Sequence, residues 1–284
     1  MEKMFLNPAE IAQAFIETGR KKANLSACKM LLLGILAGAF IAFASEGSNV
    51  AIHTIDSLGL AKALAGALFS TGLMLVIIAG AELFTGNNLI VIACAEREAP
   101  WKRLLKNWLF VYIGNFIGSF IVAFFIYQSG QFNYSNGLLG AFTIKTAAYK
   151  TGLSFKNAFF MGIMCNWLVC LAVWMAASAR DIAGKILAIY FPIWLFITSG
   201  FEHSVANMYY IPAGLLAKTN ETWLNKAIEI GVTPDKLNLL TWSGMLTNNL
   251  IPVTLGNIVG GALFVGIFYW FIYLYKEKQN NKVN

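Results

Sequence analysis

Gly80-Ala81-Glu82-Leu83-Phe84-Thr85-Gly86-Asn87-Asn88 interrupts a long apolar run with a carboxylate, a hydroxyl, two carboxamides and two helix-loosening glycines. A second stretch repeats the pattern: Gly200-Phe201-Glu202-His203-Ser204-Val205-Ala206-Asn207-Met208. Both read Gly-x-Glu-x-x-x-x-Asn, and each lies in an apolar segment of its own half of the chain. Breaking a helix in hydrocarbon strands backbone donors and acceptors at several kcal/mol each, unless the break lines a protected or wet cavity. Paired interruptions at corresponding positions of two halves therefore point to a transport site near the bilayer midplane. A pair of packed kinks is the plainer reading, but kinks do not call for Glu, Thr, His and Asn.

The surrounding composition fits a membrane. Of 284 residues, 58% are hydrophobic and 12% charged, and mean hydropathy is +0.63. Soluble domains carry about 25% charged residues, so the low density marks a chain that crosses the bilayer repeatedly. The net charge of +7 is scattered over the connections between spans. It reads as a topology signal rather than a polyanion surface, and no nucleic-acid partner is expected. The first twenty residues are polar and amphipathic, so a cleavable signal peptide is not expected. Cys28, Cys94, Cys165 and Cys170 form no Cys-x-x-Cys pair, and two histidines, His53 and His203, are too few for a multi-histidine centre. Neither a metal nor a cofactor is expected.

Asn7-Pro8 opens a short amphipathic helix, with Ile11, Ala12, Phe15 and Ile16 as its apolar stripe. It is expected either to lie on the membrane surface or to pack on the protein's own cytoplasmic loops. Six spans follow, at residues 28–46, 62–95 with a break at 80–86, 107–128, 158–178, 186–216 with a break at 200–207, and 248–275. Loops are expected at 47–60 and 129–157, and a polar loop at 218–240 with a short helix near 221–230. The domain reading is a cytoplasmic helix at 1–26, a six-helix pore at 27–275 and a cytoplasmic tail at 276–284. With both termini inside, the cytoplasmic segments hold roughly twice the Lys and Arg of the other side, as positive-inside topology requires. Three spans per half make the halves inverted repeats, so helices 2 and 5 break against each other from opposite sides.

At such breaks the new helix N-termini offer N–H donors and a favourable dipole to anions. Thr85 adds a hydroxyl, His203 an imidazole and Asn166 a carboxamide. Taken alone, Thr85 back-bonding to its own helix and His203 packing on a neighbour are the plainer readings. An ionisable residue inside the membrane is nevertheless a functional candidate by default. Glu82 and Glu202 do not suit an anion path, and are expected to bond the loosened backbone of their own breaks.

Residues 77–86, Ile-Ile-Ala-Gly-Ala-Glu-Leu-Phe-Thr-Gly, resemble the first signature of the formate/nitrite transporter family. Residues 162–172, Gly-Ile-Met-Cys-Asn-Trp-Leu-Val-Cys-Leu-Ala, resemble its second, and residues 200–208 its pore-histidine segment. Asn248-Asn249-Leu250-Ile251-Pro252-Val253-Thr254-Leu255-Gly256-Asn257 is similar to its last-helix segment. The resemblance spans nearly the whole chain. It implies an all-α, aquaporin-like six-helix protomer in a homopentamer embedded in the cytoplasmic membrane's lipid bilayer, each protomer passing a small anionic substrate. It also implies a channel rather than an enzyme. By position, Thr85 lies on the mobile loop of the first break and His203 is the central pore histidine. Asn166 is the residue that orients His203, and Lys150 is the basic residue at the outer mouth. Phe69, Leu73 and Phe196 would form an outer constriction, and Leu83, Phe84 and Val169 an inner one. Gly86, Asn87, Glu202 and Asn207, with Glu82, are implied to shape the breaks. Gly86-Asn87-Asn88 departs from close formate channels, which carry small hydroxylated residues there, and occurs in nitrite and hydrosulfide subgroups. The stretch at 201–208 and the last helix resemble formate channels, so formate is the first choice, with nitrite and hydrosulfide left open.

The implied substrates are conjugate bases of weak acids, so one proton removes the charge that makes the crossing costly. A bare anion at mid-membrane costs at least ~2.5–3.5 kcal/mol on the lenient scales. Desolvation raises the anion's proton affinity, and either His203 or a water that it orients supplies the proton. Two rivals are a neutral-solute channel, disfavoured by the lack of an Asn-Pro-Ala pair at either break, and an enzyme built on Glu82, Glu202 and His203. The second lacks any cofactor motif or sizeable soluble part.

Overall fold

In the computed structural model, which describes residues 5–275, Asn7 caps the first helix through a reciprocal pair. Its side chain accepts from the Glu10 N–H at 3.0 Å, and its own N–H donates to the Glu10 carboxylate at 2.8 Å. Helix α1 (Pro8–Ala23) then buries Ile11, Ala12 and Phe15 among Leu89, Cys170, Trp174 and Val265. Phe15 stacks on Trp174 at 5.2 Å. The helix packs on the protein itself, but against helical segments rather than the loops expected. The tail expected at 276–284 lies outside the described residues.

The helices continue as α2 (Ala27–Ile52), α3 (Leu58–Gly80), α4 (Gly86–Ala95), α5 (Trp101–Gln128), α6 (Tyr134–Thr151) and α7 (Phe155–Ser178). Next come α8 (Ile182–Thr198), α9 (Ser204–Ala217), α10 (Glu221–Glu229), α11 (Pro234–Leu239) and α12 (Trp242–Tyr275). Helices α2, α3, α5, α7 and α12 are long and apolar enough to cross a membrane by length and composition. Helix α8 is a shorter apolar helix, and α4 resumes the chain after the first interruption.

Two expected loops are helical. Helix α2 runs on through Gly47-Ser48-Asn49 to Ile52, because its polar end is buried rather than solvated. The Ser45 and Ser48 hydroxyls donate to the Ile41 and Ala44 carbonyls of their own helix, and the Tyr209 hydroxyl donates to the Glu46 carboxylate. The segment expected as a loop at 129–157 contains α6, which buries Leu139, Ala141, Ile144, Ala147 and Ala148. Its mix of Gly, Thr and Tyr hid a helix because small residues are what close packing on α9 needs. A Cβ added at Gly214 would collide with the Ala147 side chain.

Paired glycines set the helix spacing. Val111 of α5 brings its carbonyl to 2.9 Å from where a Gly34 Cβ would stand, and Val253 of α12 does the same to Gly162 at 2.7 Å. A Cβ at Gly38 or Gly118 would collide with the Asn115 or Ile35 carbonyl, and one at Gly256 or Gly260 with those of Phe159 or Ile163. These small-residue seams join α2 to α5 and α7 to α12 within one protomer. They carry no information about contacts between protomers.

Helices α3 and α8 run antiparallel. Thr198 faces Lys62, Trp194 donates to the Ala63 carbonyl at 2.8 Å, and Ser70 donates to the Tyr190 carbonyl at 3.1 Å. The start of each helix therefore lies beside the end of the other.

Candidate functional site

Both interruptions begin at a glycine with positive φ, +90° at Gly80 and +75° at Gly200, a conformation that side chains rarely adopt. The chain then runs extended before α4 and α9 begin. Each turn is held by an asparagine from a neighbouring helix. Asn115 of α5 accepts from the Phe84 N–H at 3.0 Å and donates to the Gly34 and Glu82 carbonyls at 2.8 and 3.0 Å. Asn257 of α12 accepts from the Ser204 N–H at 3.0 Å and donates to the Gly162 and Glu202 carbonyls at 2.8 and 3.0 Å. Three backbone groups are thus satisfied at each break, which lowers the cost of interrupting the helix there.

The glutamates do something else than bond backbone, contrary to the sequence expectation. Lys22 Nζ lies 2.7 Å from Glu82 Oε1, while the Asn87 carboxamide donates to Glu82 Oε2 at 2.6 Å and to Asn107 at 2.8 Å. The other break repeats the set. Lys150 Nζ lies 2.7 Å from Glu202 Oε1, while Asn207 donates to Glu202 Oε2 at 2.7 Å and to Asn249 at 2.6 Å. Lys22, Asn107, Asn115, Asn249 and Asn257 escaped the sequence reading of the site. A signal was present, because Asn-x-x-x-x-x-x-Gly-Asn occurs at 107–115 and again at 249–257.

Thr85 and His203 meet where the two interruptions face each other. The Thr85 hydroxyl is 2.9 Å from His203 Nε2, and both residues are buried. His203 Nδ1 accepts the Ala206 N–H at 3.0 Å, capping α9. A nitrogen that accepts a hydrogen bond carries no proton, so the ring hydrogen of the neutral imidazole sits on Nε2 and points to Thr85. Protonating Nδ1 would break the cap and place a cation at a helix N-terminus.

Asn166 does not reach His203. Both of its amide hydrogens go to carbonyls, that of Thr85 at 3.2 Å and that of Asn257 at 2.7 Å. It therefore joins the two breaks, and the imidazole is oriented by Ala206 and Thr85 instead. Lys150, read from sequence as a basic residue at a mouth, is 12% exposed at its side chain and spends its charge on Glu202. Its ammonium also lies 5.2 Å from the Tyr210 ring.

Of the apolar residues read as constrictions, Phe196 lies beside the histidine. Phe69 meets Phe196 edge-on at 5.7 Å, and Phe196 lies 6.0 Å from the His203 ring. Leu73, Leu83, Phe84 and Val169 are buried in the same core. Leu73 and Leu83 border a cavity of about 420 Å³ that also touches Lys22, Glu82 and Lys185. Phe84 is packed edge-on against Trp108 and Tyr112 at 5.9 and 5.0 Å.

A family model described as "Formate/nitrite transporter" matches residues 9–271. The chain belongs to the formate/nitrite transporter family. Formate/nitrite transporter relatives agree along its length. The chain is 40% identical to "Formate channel FocA" of Escherichia coli strain K12, over 95% of each chain. It is 36% identical to "Formate channel BtFdhC" of Bacillus thuringiensis, over 98% of this chain and 99% of that one. Among solved structures, "Pentameric formate channel with formate bound" superimposes with a TM-score of 0.79 at 42% identity, covering 87% of this chain and 98% of the other. "FNT family ion channel" does so with a TM-score of 0.78 at 29% identity, covering 93% and 98%. These relatives are channels, so the enzyme reading of Glu82, Glu202 and His203 is set aside.

Proposed function

We propose that this chain is a channel for small monovalent anions of weak acids, formate first, across the cytoplasmic membrane. The observation that carries it is the Thr85–His203 pair, a buried polar contact of 2.9 Å where two helix interruptions meet, with Phe196 beside the imidazole. The similar formate channels of Escherichia coli and Bacillus thuringiensis support the choice of anion. Nε2–H offers a single hydrogen bond to an anion whose hydration the apolar constrictions strip away, and the Thr85 hydroxyl relays to it. As the constrictions desolvate the anion, its neutral acid becomes the favoured form, and the proton comes from water at the mouth. His203 then acts as a neutral donor, since its other nitrogen is committed to Ala206.

Six crossing segments in two inverted repeats fit the duplicated Lys-Glu-Asn-Asn contacts and the antiparallel α3–α8 pairing. In that arrangement the Lys22 cavity opens to the cytoplasm and Lys150 lies toward the outside, with both termini within the cell. Phe69 and Phe196 form the outer ring, and Leu83 with Val169 the inner one. A homopentamer, each protomer with its own pore, follows the pentameric assembly of the similar solved formate channel.

The test is flux into liposomes carrying purified protein of five-protomer native mass. Formate should enter faster than nitrite, hydrosulfide, lactate or chloride, and faster at lower pH. Passage of glycerol or water without anion selection would overturn the reading. Orientation is checked separately. After the exposed Cys28 is replaced by Ser, a cysteine at Asp56 should react with an impermeant thiol reagent in intact cells, and one at Arg97 should not. Labelling at Arg97 alone would invert the topology.

A further inference from the structure

The lysines of the two ion pairs leave little free charge for an incoming anion, yet each mouth has another lysine. Three charged residues touch the 420 Å³ cavity, namely Lys22, Glu82 and Lys185. Lys22 and Glu82 cancel at 2.7 Å. Among the described residues the Lys185 side chain makes no hydrogen bond or ion pair, so its ammonium is the uncompensated charge of that cavity. The same holds at the other break. A Cβ at Gly200 would lie 3.3 Å from Lys62 Nζ, which is within electrostatic range of both Lys150 and Glu202. The Lys62 side chain likewise has no hydrogen bond or ion pair among the described residues. Nearby lysines are committed: Lys145 donates to the Ile230 carbonyl, Lys218 to those of Leu237 and Leu240, and Lys226 to that of Asn136.

The antiparallel pairing of α3 with α8 explains the placement. Lys62 starts the helix that feeds the first interruption but stands beside the second. Lys185 starts the helix that feeds the second but faces the cavity of the first, with Gly80 and Leu83. We propose that Lys62 and Lys185 are the anion-recruiting residues of the outer and inner mouths, and that Lys150 and Lys22 hold the breaks together. An ammonium without a carboxylate partner keeps its field, and a narrow apolar-walled mouth focuses that field on arriving anions. The ligand is the small carboxylate or other monovalent anion of the proposed function, on which this inference rests.

The experiment measures formate uptake into right-side-out and inside-out vesicles as a function of formate concentration. Wild-type uptake tests the channel reading itself, and the variants test the recruiting lysines. At low ionic strength Lys185→Gln should raise the half-saturating concentration about two- to fivefold from the cytoplasmic face and leave it near wild type from the other. Lys62→Gln should do the reverse. Lys185→Arg and Lys62→Arg should behave as wild type, which also shows that the protein assembles with the position altered. At about 1 M salt, where screening acts within ~3 Å, the Gln effects should vanish. Effects equal from both faces, effects that persist in high salt, a loss in the Arg variants, or no effect at all would each overturn the proposal.

Discussion

His203→Phe should abolish most formate flux while leaving the protein assembled. The ring volume is kept, but the Nε2–H that meets Thr85 at 2.9 Å and the Nδ1 cap on Ala206 are both removed. Losing one hydrogen bond to a charged group costs about 1.5–3 kcal/mol, or roughly ten- to more than a hundredfold in flux. The lost cap adds about 1 kcal/mol of destabilisation, which a melting curve in detergent should register. His203→Gln keeps a donor for the anion. Because Nδ1 is committed to the backbone, this variant should retain substantial flux and the wild-type pH dependence. Formate and chloride flux at two pH values decides the matter. A Gln variant that conducts but no longer responds to pH would make His203 the proton carrier and sink the neutral-donor mechanism.

The second large effect is on stability. Glu202→Gln leaves the Lys150 ammonium buried without its carboxylate, and Lys150→Met leaves the reverse. Breaking one partner of a buried pair costs about 3–5 kcal/mol, whereas replacing both by uncharged groups is often neutral. Each single variant should therefore melt well below wild type, and the Lys150→Met/Glu202→Gln double variant should recover much of the loss. The equivalent Lys22→Met should cost less, because the Lys22 side chain is 30% exposed and water screens what remains. If Lys150→Met keeps wild-type stability but loses flux mainly at low salt and low formate, Lys150 recruits anions as the sequence reading had it. The structural assignment would then be wrong.

What could be read in the chain was whatever the bilayer forces on composition and whatever a special backbone forces on residue type. Apolar runs near twenty residues announce spans because hydrocarbon excludes unsatisfied backbone. The two Gly-x-Glu-x-x-x-x-Asn stretches announce interruptions, and the positive φ at Gly80 and Gly200 is why glycine stands there. The helix start at Asn7-Pro8 was legible because capping is a local matter of four residues.

Partnership across the fold was not legible. Helix α6 and the last turns of α2 read as loops, since their polar and small residues look solvated until α9 is packed over them. The seams at Gly34, Gly38, Gly114 and Gly118 look the same in sequence whether they face a neighbour helix or a neighbour protomer. Nothing in the sequence says that Asn166 spends both hydrogens on the Thr85 and Asn257 carbonyls, or that Lys150 is cancelled by Glu202. The sequence by itself determined a membrane chain with two matched polar interruptions, because period, length and glycine placement are properties of single segments. Only the tertiary structure decided which charge is paired, which nitrogen of His203 meets Thr85 and which lysines stand beside the breaks without a carboxylate. These ion pairs are settled by distances of about 3 Å between residues that lie more than fifty positions apart in the chain.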